Sequence, residues 1–226
     1  MEHPATLRQE GPKSLCAVID GMGGYKGGAL AARMSAGFLG KSFSDRSEVS
    51  KESLQDFFRS LLGKMEKEVE RDPSLREMGA TLAGLMLCQE AVFVFNCGDC
   101  RVYRFRSGYL ERLSRDHSLV QELVDQGTLE EDAMRTHPQK NVVTAAVQAS
   151  AAGEDPTFFL KAFTYVSGDA FFLCSDGVWE ALPVESLEEC LREEDAAQGC
   201  EMLCRRLLET PCRDNITFIL LTPSAE

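Results

Sequence analysis

Apolar, strand-like runs occupy much of this chain in hairpin order, and three of them meet an aspartate at a turn. Asp20 follows Leu15-Cys16-Ala17-Val18-Ile19 and opens Gly21-Met22-Gly23-Gly24. Asp176 follows Phe171-Phe172-Leu173-Cys174-Ser175 and precedes Gly177. Asp214-Asn215 directly precedes Ile216-Thr217-Phe218-Ile219-Leu220-Leu221. A carboxylate at a strand end rides on rigid backbone and can face a cleft. Several facing one cleft repel one another unless a cation lies between them. The pattern points to a hard-metal site.

The intervening segments set the fold class. Leu54, Phe57, Phe58, Leu61, Leu62, Met65 and Val69 recur at helical spacing, and Pro73 marks the end of that helix. Residues 27–43 are rich in small side chains and read as a closely packed helix. Residues 80–88 and 91–96 read as strands about a Gln89-Glu90 turn, and residues 101–106 and 109–113 as strands about Ser107-Gly108. Residues 118–126 read as a helix stopped by Gly127, and Thr128 with Glu131 as the capping box of another that must end before His137-Pro138. Residues 141–153 carry no clear pattern and read as mixed loop. Strands are expected again over 157–166, 170–174 and 216–221, with helices over 184–193 and 196–209. Hairpin-ordered strands with helices in separate blocks argue for α+β, the helices on the outer faces of paired antiparallel sheets.

Composition narrows the function. A chain of 226 residues, 44% hydrophobic and 27% charged, suits one globular domain, expected over 1–226. Its net charge of −12, from 36 acidic and 24 basic residues, disfavours binding to a phosphate backbone, so no nucleic-acid partner is expected. No apolar run reaches the roughly 20 residues of a membrane span. Met1-Glu2-His3-Pro4 has no signal-peptide character, so a cytoplasmic location is expected. The 9 cysteines lack a regular framework; Cys16, Cys88 and Cys174 fall in apolar runs, and all are expected to be reduced structural thiols. Cys200 and Cys204 share a helix face with Leu203, Leu207 and Leu208.

Three glycines in Gly21-Met22-Gly23-Gly24 are entropically costly to order, which fits a tight turn near a ligand as well as a bare turn. A nucleotide-binding phosphate loop is excluded, because G-x-x-x-x-G-K-[ST] is absent. A fourth carboxylate, Asp99, lies in Asn96-Cys97-Gly98-Asp99-Cys100-Arg101. The ordered set Asp-Gly-x-Gly-Gly, Gly-Asp-x-Arg, Ser-Asp-Gly and Arg-Asp-Asn resembles the metal-dependent protein serine/threonine phosphatases of type 2C. The resemblance runs from Asp20 to Leu221 and includes Gly79-Ala80-Thr81-Leu82, residues 113–118, residues 123–127 and His137-Pro138. Met22 stands where many eukaryotic members have His, which places the chain nearer the bacterial branch.

The resemblance implies a four-layer α-β-β-α sandwich, two antiparallel sheets flanked by helices, with two Mn²⁺ or Mg²⁺ ions at one end. Asp20 would bridge both ions, the Gly21 carbonyl would ligate one, and Asp176 and Asp214 would ligate the other. Asp99, with Asp176, would hold a weaker third ion. A water between two cations would then attack a phosphoserine or phosphothreonine, with a serine/threonine kinase as the opposing enzyme. His137 is a candidate acid or substrate contact, or else a loop anchor, and His117 would lie in a structural turn. Residues 118–153 would form the flap over the site.

The family pattern is broken at its start. Members carry an earlier strand with a phosphate-gripping Arg and an Asn-[Glu/Gln]-Asp motif. Glu2 lies near the spacing of that acidic pair, but no Arg precedes it and His3 takes the Asp position. Three readings stand: an active phosphatase with a truncated start, a short form of weak activity, or a non-catalytic phosphatase-like binding module. A missing strand would leave a sheet edge open, giving a monomer or a dimer that covers it.

Overall fold

The computed structural model describes residues 13–43, 48–88, 91–149, 156–211 and 214–223. Among these residues the strands form two antiparallel sheets, one five-stranded and one four-stranded. The first comprises β1 (Ser14–Met22), β2 (Gly79–Leu87), β3 (Ala91–Cys97) and β7 (Phe159–Thr164) in that order, with β6 (Val147–Gln148) also paired to β2. The second runs β5 (Tyr109–Arg112), β4 (Arg101–Arg106), β8 (Ala170–Cys174), β9 (Phe218–Leu221). Helices α1 (Gly24–Phe43) and α2 (Lys51–Arg71) cover the first sheet. Helices α5 (Val184–Leu191) and α6 (Ala196–Glu209) cover the second. Between these blocks lie α3 (Leu119–Asp125) and the short α4 (Asp176–Trp179).

The layering follows from period-2 alternation in strands that are apolar on both faces. Along β2, Ala80, Leu82 and Met86 join Leu54, Phe58, Leu61 and Met65 of α2. Ala83 and Leu85 point the other way and join Phe171 and Leu173 of β8 between the sheets. On β8, Phe172 and Cys174 turn outward to Leu187 of α5 and to Leu203 and Leu207 of α6. Each fully buried large side chain contributes about 1.5–3 kcal/mol, so these cores clamp the layers together. The architecture is the expected four-layer α-β-β-α sandwich.

Several local expectations change. β1 does not stop at Asp20, because Asp20, Gly21 and Met22 pair with Thr81, Ala80 and Gly79. The segment 141–153 is not all loop: Val147 and Gln148 pair with Ala80 and Gly79, beyond the point where β3 leaves β2 at Leu82 and Cys97. Thr128 forms no capping box. Its hydroxyl donates to the Leu123 carbonyl at 2.9 Å, serving the end of α3, while the following 3-10 turn (Glu131–Thr136) starts at Glu130 without a side-chain cap. Leu208 is 55% exposed and off the buried face shared by Leu203 and Leu207.

Among the described residues every cysteine is a thiol and no helix is long and apolar enough to cross a membrane. β1 is the outer strand on its side of the first sheet among these residues.

Candidate metal centre

Asp20 is carried on β1, and the strand is pressed onto the start of α1 beside it. A Cβ on Gly21 would meet the Gly28 carbonyl oxygen at 2.2 Å, so the contact is backbone on backbone. That contact, with the turn at Gly23 (φ 92°), accounts for the glycines after Asp20.

Asp176 opens α4 directly after β8. The Gly177 amide donates to Asp176 Oδ1 at 2.8 Å and fixes the carboxylate rotamer. Ser175 ties this corner to the segment after Asp214: its amide donates to the Thr217 carbonyl at 3.0 Å and its Oγ accepts from the Thr217 amide at 3.2 Å. Gly177 completes the approach, since a Cβ there would meet the Asn215 carbonyl oxygen at 2.3 Å. Asp214 is exposed, and its Oδ1 accepts from the Asn215 amide at 2.8 Å.

Asp99 is 4% exposed in the turn from β3 to β4. Five hydrogen bonds hold that turn. Asn96 Nδ2 donates to the Gly98 and Arg115 carbonyls, the Gly98 amide donates to His117 Nδ1 at 3.1 Å, the His117 amide donates back to the Gly98 carbonyl, and Trp179 Nε1 donates to the Asp99 carbonyl at 3.0 Å. His117 is thus the structural residue the sequence suggests. Arg101, which lies 3.6 Å from the Trp179 ring, is forked onto Asp116 at 2.6 and 2.9 Å and extends this buried frame.

The electrostatics show which carboxylates share a site. Burial raises the Asp20 carboxyl to about 7, helped by the charges of Asp176 and Asp214 and by a hydrogen bond with Asp176. Asp176 is raised by burial and then by Asp214. Asp99 is raised to about 7 by burial, then by Asp176 and Asp116. Asp20 and Asp176 are in direct contact, and Asp214 and Asp99 lie within reach of Asp176 by charge. Among the described residues no group of three or more His, Cys, Asp or Glu side chains is drawn together closely enough to hold a metal ion. The donors are all oxygens and mutually repulsive, which is the chemistry that Mn²⁺ or Mg²⁺ suits.

Glu2 lies outside the described residues. His137 folds onto its own loop, its Nδ1 accepting from the Gln139 amide at 3.2 Å. A cavity of about 760 Å³ lies elsewhere: it is lined by Arg101, Arg112, Met134 and Trp179 among others, and none of the four aspartates contributes to it. Sequence reasoning missed Lys140 and Glu180, whose side chains form an ion pair beside Asp176. The available signal was the spacing of Glu180, one helical turn beyond Asp176.

A sandwich with carboxylates gathered at strand ends offers an oxygen-donor site for divalent metal ions. A family model described as Protein phosphatase 2C matches residues 5–215, and the chain belongs to that family. It is 29% identical over 210 residues to the serine/threonine phosphatase stp of Listeria monocytogenes, covering 90% of this chain and 82% of that protein. The crystal structure of the Mycobacterium tuberculosis serine/threonine phosphatase PstP/Ppp superposes with a TM-score of 0.82 at 26% identity, covering 96% of this chain and 95% of that one. A solved catalytic domain of the phosphatase PstP in complex with two manganese ions gives a TM-score of 0.78 at 25% identity, covering 95% and 92%.

Proposed function

We propose that this chain removes phosphate from phosphoserine and phosphothreonine in proteins, with Mn²⁺ or Mg²⁺ held by Asp20, the Gly21 carbonyl, Asp176 and Asp214. Asp99 with Asp176 would hold a weaker third ion. The observation that carries this reading is the contact of Asp20 with Asp176, with the Asp214 charge acting on both and the Asp176 charge acting on Asp99. Bound divalent ions would supply an acidified water and offset the charge on the phosphoryl oxygens. The chain's own part is to fix the ligands. Gly177 locks the Asp176 rotamer, Ser175 holds the Asp214 segment against α4, and Trp179 pins the Asp99 turn. His137, bonded within its own turn, is assigned to anchoring the flap.

Residues 1–226 are read as one phosphatase domain with its flap at about 118–153, working in the cytoplasm against a serine/threonine kinase. Its state is a monomer or a dimer across β1, which sedimentation distinguishes. The test of function is Mn²⁺-dependent hydrolysis of p-nitrophenyl phosphate and a phosphothreonine peptide, abolished in Asp176→Asn. A wild-type chain with no turnover at saturating Mn²⁺ would leave the non-catalytic binding module as the reading.

A further inference from the structure

Without metal the carboxylates at the centre repel an incoming phosphoryl dianion, and any cation facing it, bound ion or side chain, favours its approach. Arg101 offers no relief, because its guanidinium is buried and spent on Asp116. Lys140 is placed differently. It hangs from a turn fixed at both ends: the Lys140 amide donates to the His137 carbonyl at 3.1 Å, the Leu119 amide to the Val142 carbonyl at 2.9 Å, and the Thr144 amide to the His117 carbonyl at 2.8 Å. The side chain is 30% exposed, so the ammonium borders both solvent and protein.

Its partner is Glu180, at the end of α4. Glu180 lies one helical turn after Asp176, on the same face, with its amide donating to the Asp176 carbonyl at 2.9 Å. The Lys140 charge is felt at Asp176, and the charges of Asp176 and Asp214 are felt at Glu180. Glu180 Oε2 takes the ammonium, while its Oε1 is buried and unbonded among the described residues. A carboxylate kept only as a structural latch gains from bonding both oxygens, since an orphaned buried acceptor is costly. Held through one oxygen only, the ammonium is easier to exchange than in a bidentate pair. An ammonium carries three rotatable donors on a flexible stem, so it can leave one oxyanion for another without moving its backbone.

We propose that Lys140 is a phosphoryl-binding residue of the centre, resting on Glu180 in the free protein and turning to the phosphoryl oxygens of a bound substrate. This rests on the phosphatase reading for its natural substrate, but its test does not require turnover. The probe is inorganic phosphate, titrated calorimetrically into the Mn²⁺-loaded chain at fixed ionic strength. Lys140→Met should weaken phosphate about 10-fold and Lys140→Arg by no more than about 3-fold, the scale of one charge-assisted contact. Glu180→Gln frees the ammonium and should tighten phosphate about 3-fold.

A latch between flap and α4 would move Lys140→Met and Glu180→Gln in the same direction. That outcome, unchanged affinity in Lys140→Met, or no phosphate binding by the wild type, overturns the proposal. Thermal unfolding of each variant reports on folding separately, and Lys140→Arg retains the charge if Lys140→Met fails to fold. An inactive wild type that binds phosphate through Lys140 would reject the phosphatase reading and support this one. An active wild type whose phosphate affinity ignores Lys140 would do the reverse.

Discussion

Trp179 Nε1 donates to the backbone carbonyl of Asp99 at 3.0 Å, joining the helix that begins with Asp176 to the turn that presents Asp99. The same indole ring lies 3.6 Å from the guanidinium of Arg101, two residues on at the start of β4. One side chain therefore sets the relative position of two candidate ligands. Trp179→Phe keeps an aromatic ring and removes the donor, leaving a buried carbonyl unpaired. It should cost about 1–3 kcal/mol in urea unfolding, with weaker Mn²⁺ binding by calorimetry.

Gly177 has no room for a side chain. A Cβ would meet the Asn215 carbonyl oxygen at 2.3 Å, and that backbone follows Asp214 directly. Gly177→Ala should push the Asp214 segment away from Asp176, costing about 1–3 kcal/mol of stability as an overpacked site. Its Mn²⁺ affinity should fall further than that of Trp179→Phe, since it moves a ligand. An alanine variant with unchanged Mn²⁺ affinity would remove Asp214 from the ligand set.

Arg101 and Asp116 form a buried fork with side-chain exposures of 9% and 0%. Truncating one partner leaves the other charge stranded. Asp116→Asn should cost about 3–5 kcal/mol in chemical denaturation, making it the most damaging of these changes although it removes no proposed ligand.

The acidity of the centre fixes a pH trend for the metal-free protein. Asp20 and Asp99 are each raised from 3.8 to about 7 by burial and neighbouring carboxylates, so the folded state binds more protons than the unfolded state between those values. Their contribution to stability is full below about 4 and is lost as pH rises through about 7. Thermal unfolding in chelator should show that decline. Mn²⁺ should raise the unfolding temperature more at pH 7.5 than at pH 5, because protons compete for the same oxygens. A shift independent of pH would place the ion away from these carboxylates.

How much of this was legible in the sequence depends on the range of the interactions. The layers were, because Leu54 to Val69 repeat at helical spacing and the runs at 80–88 and 170–174 are apolar on both faces. The four aspartates were also legible, as each lies beside a glycine or asparagine at the edge of such a run. Long-range pairing was not. The extension of β1 past Asp20 requires Gly79, Ala80 and Thr81 as partners, and β6 exists only because β2 has a vacant side beyond Leu82. Thr128 and Glu131 fit a local capping rule, but the end of α3 took the threonine hydroxyl first. Lys140 and Glu180 are 40 residues apart and meet only through the fold.

Asp20, Asp176 and Asp214 are proposed to hold the divalent ions with which this chain dephosphorylates proteins. The most direct test is to measure Mn²⁺ stoichiometry by calorimetry on wild type and Asp176→Asn, with phosphothreonine-peptide hydrolysis on the same samples. At least two ions per wild-type chain with Mn²⁺-dependent turnover, and loss of an ion together with a fall of at least about 100-fold in kcat in the variant, is the predicted result, a barrier raised by roughly 2.7 kcal/mol or more. A wild-type chain that binds no Mn²⁺, or a variant that turns over as fast as wild type, would contradict it.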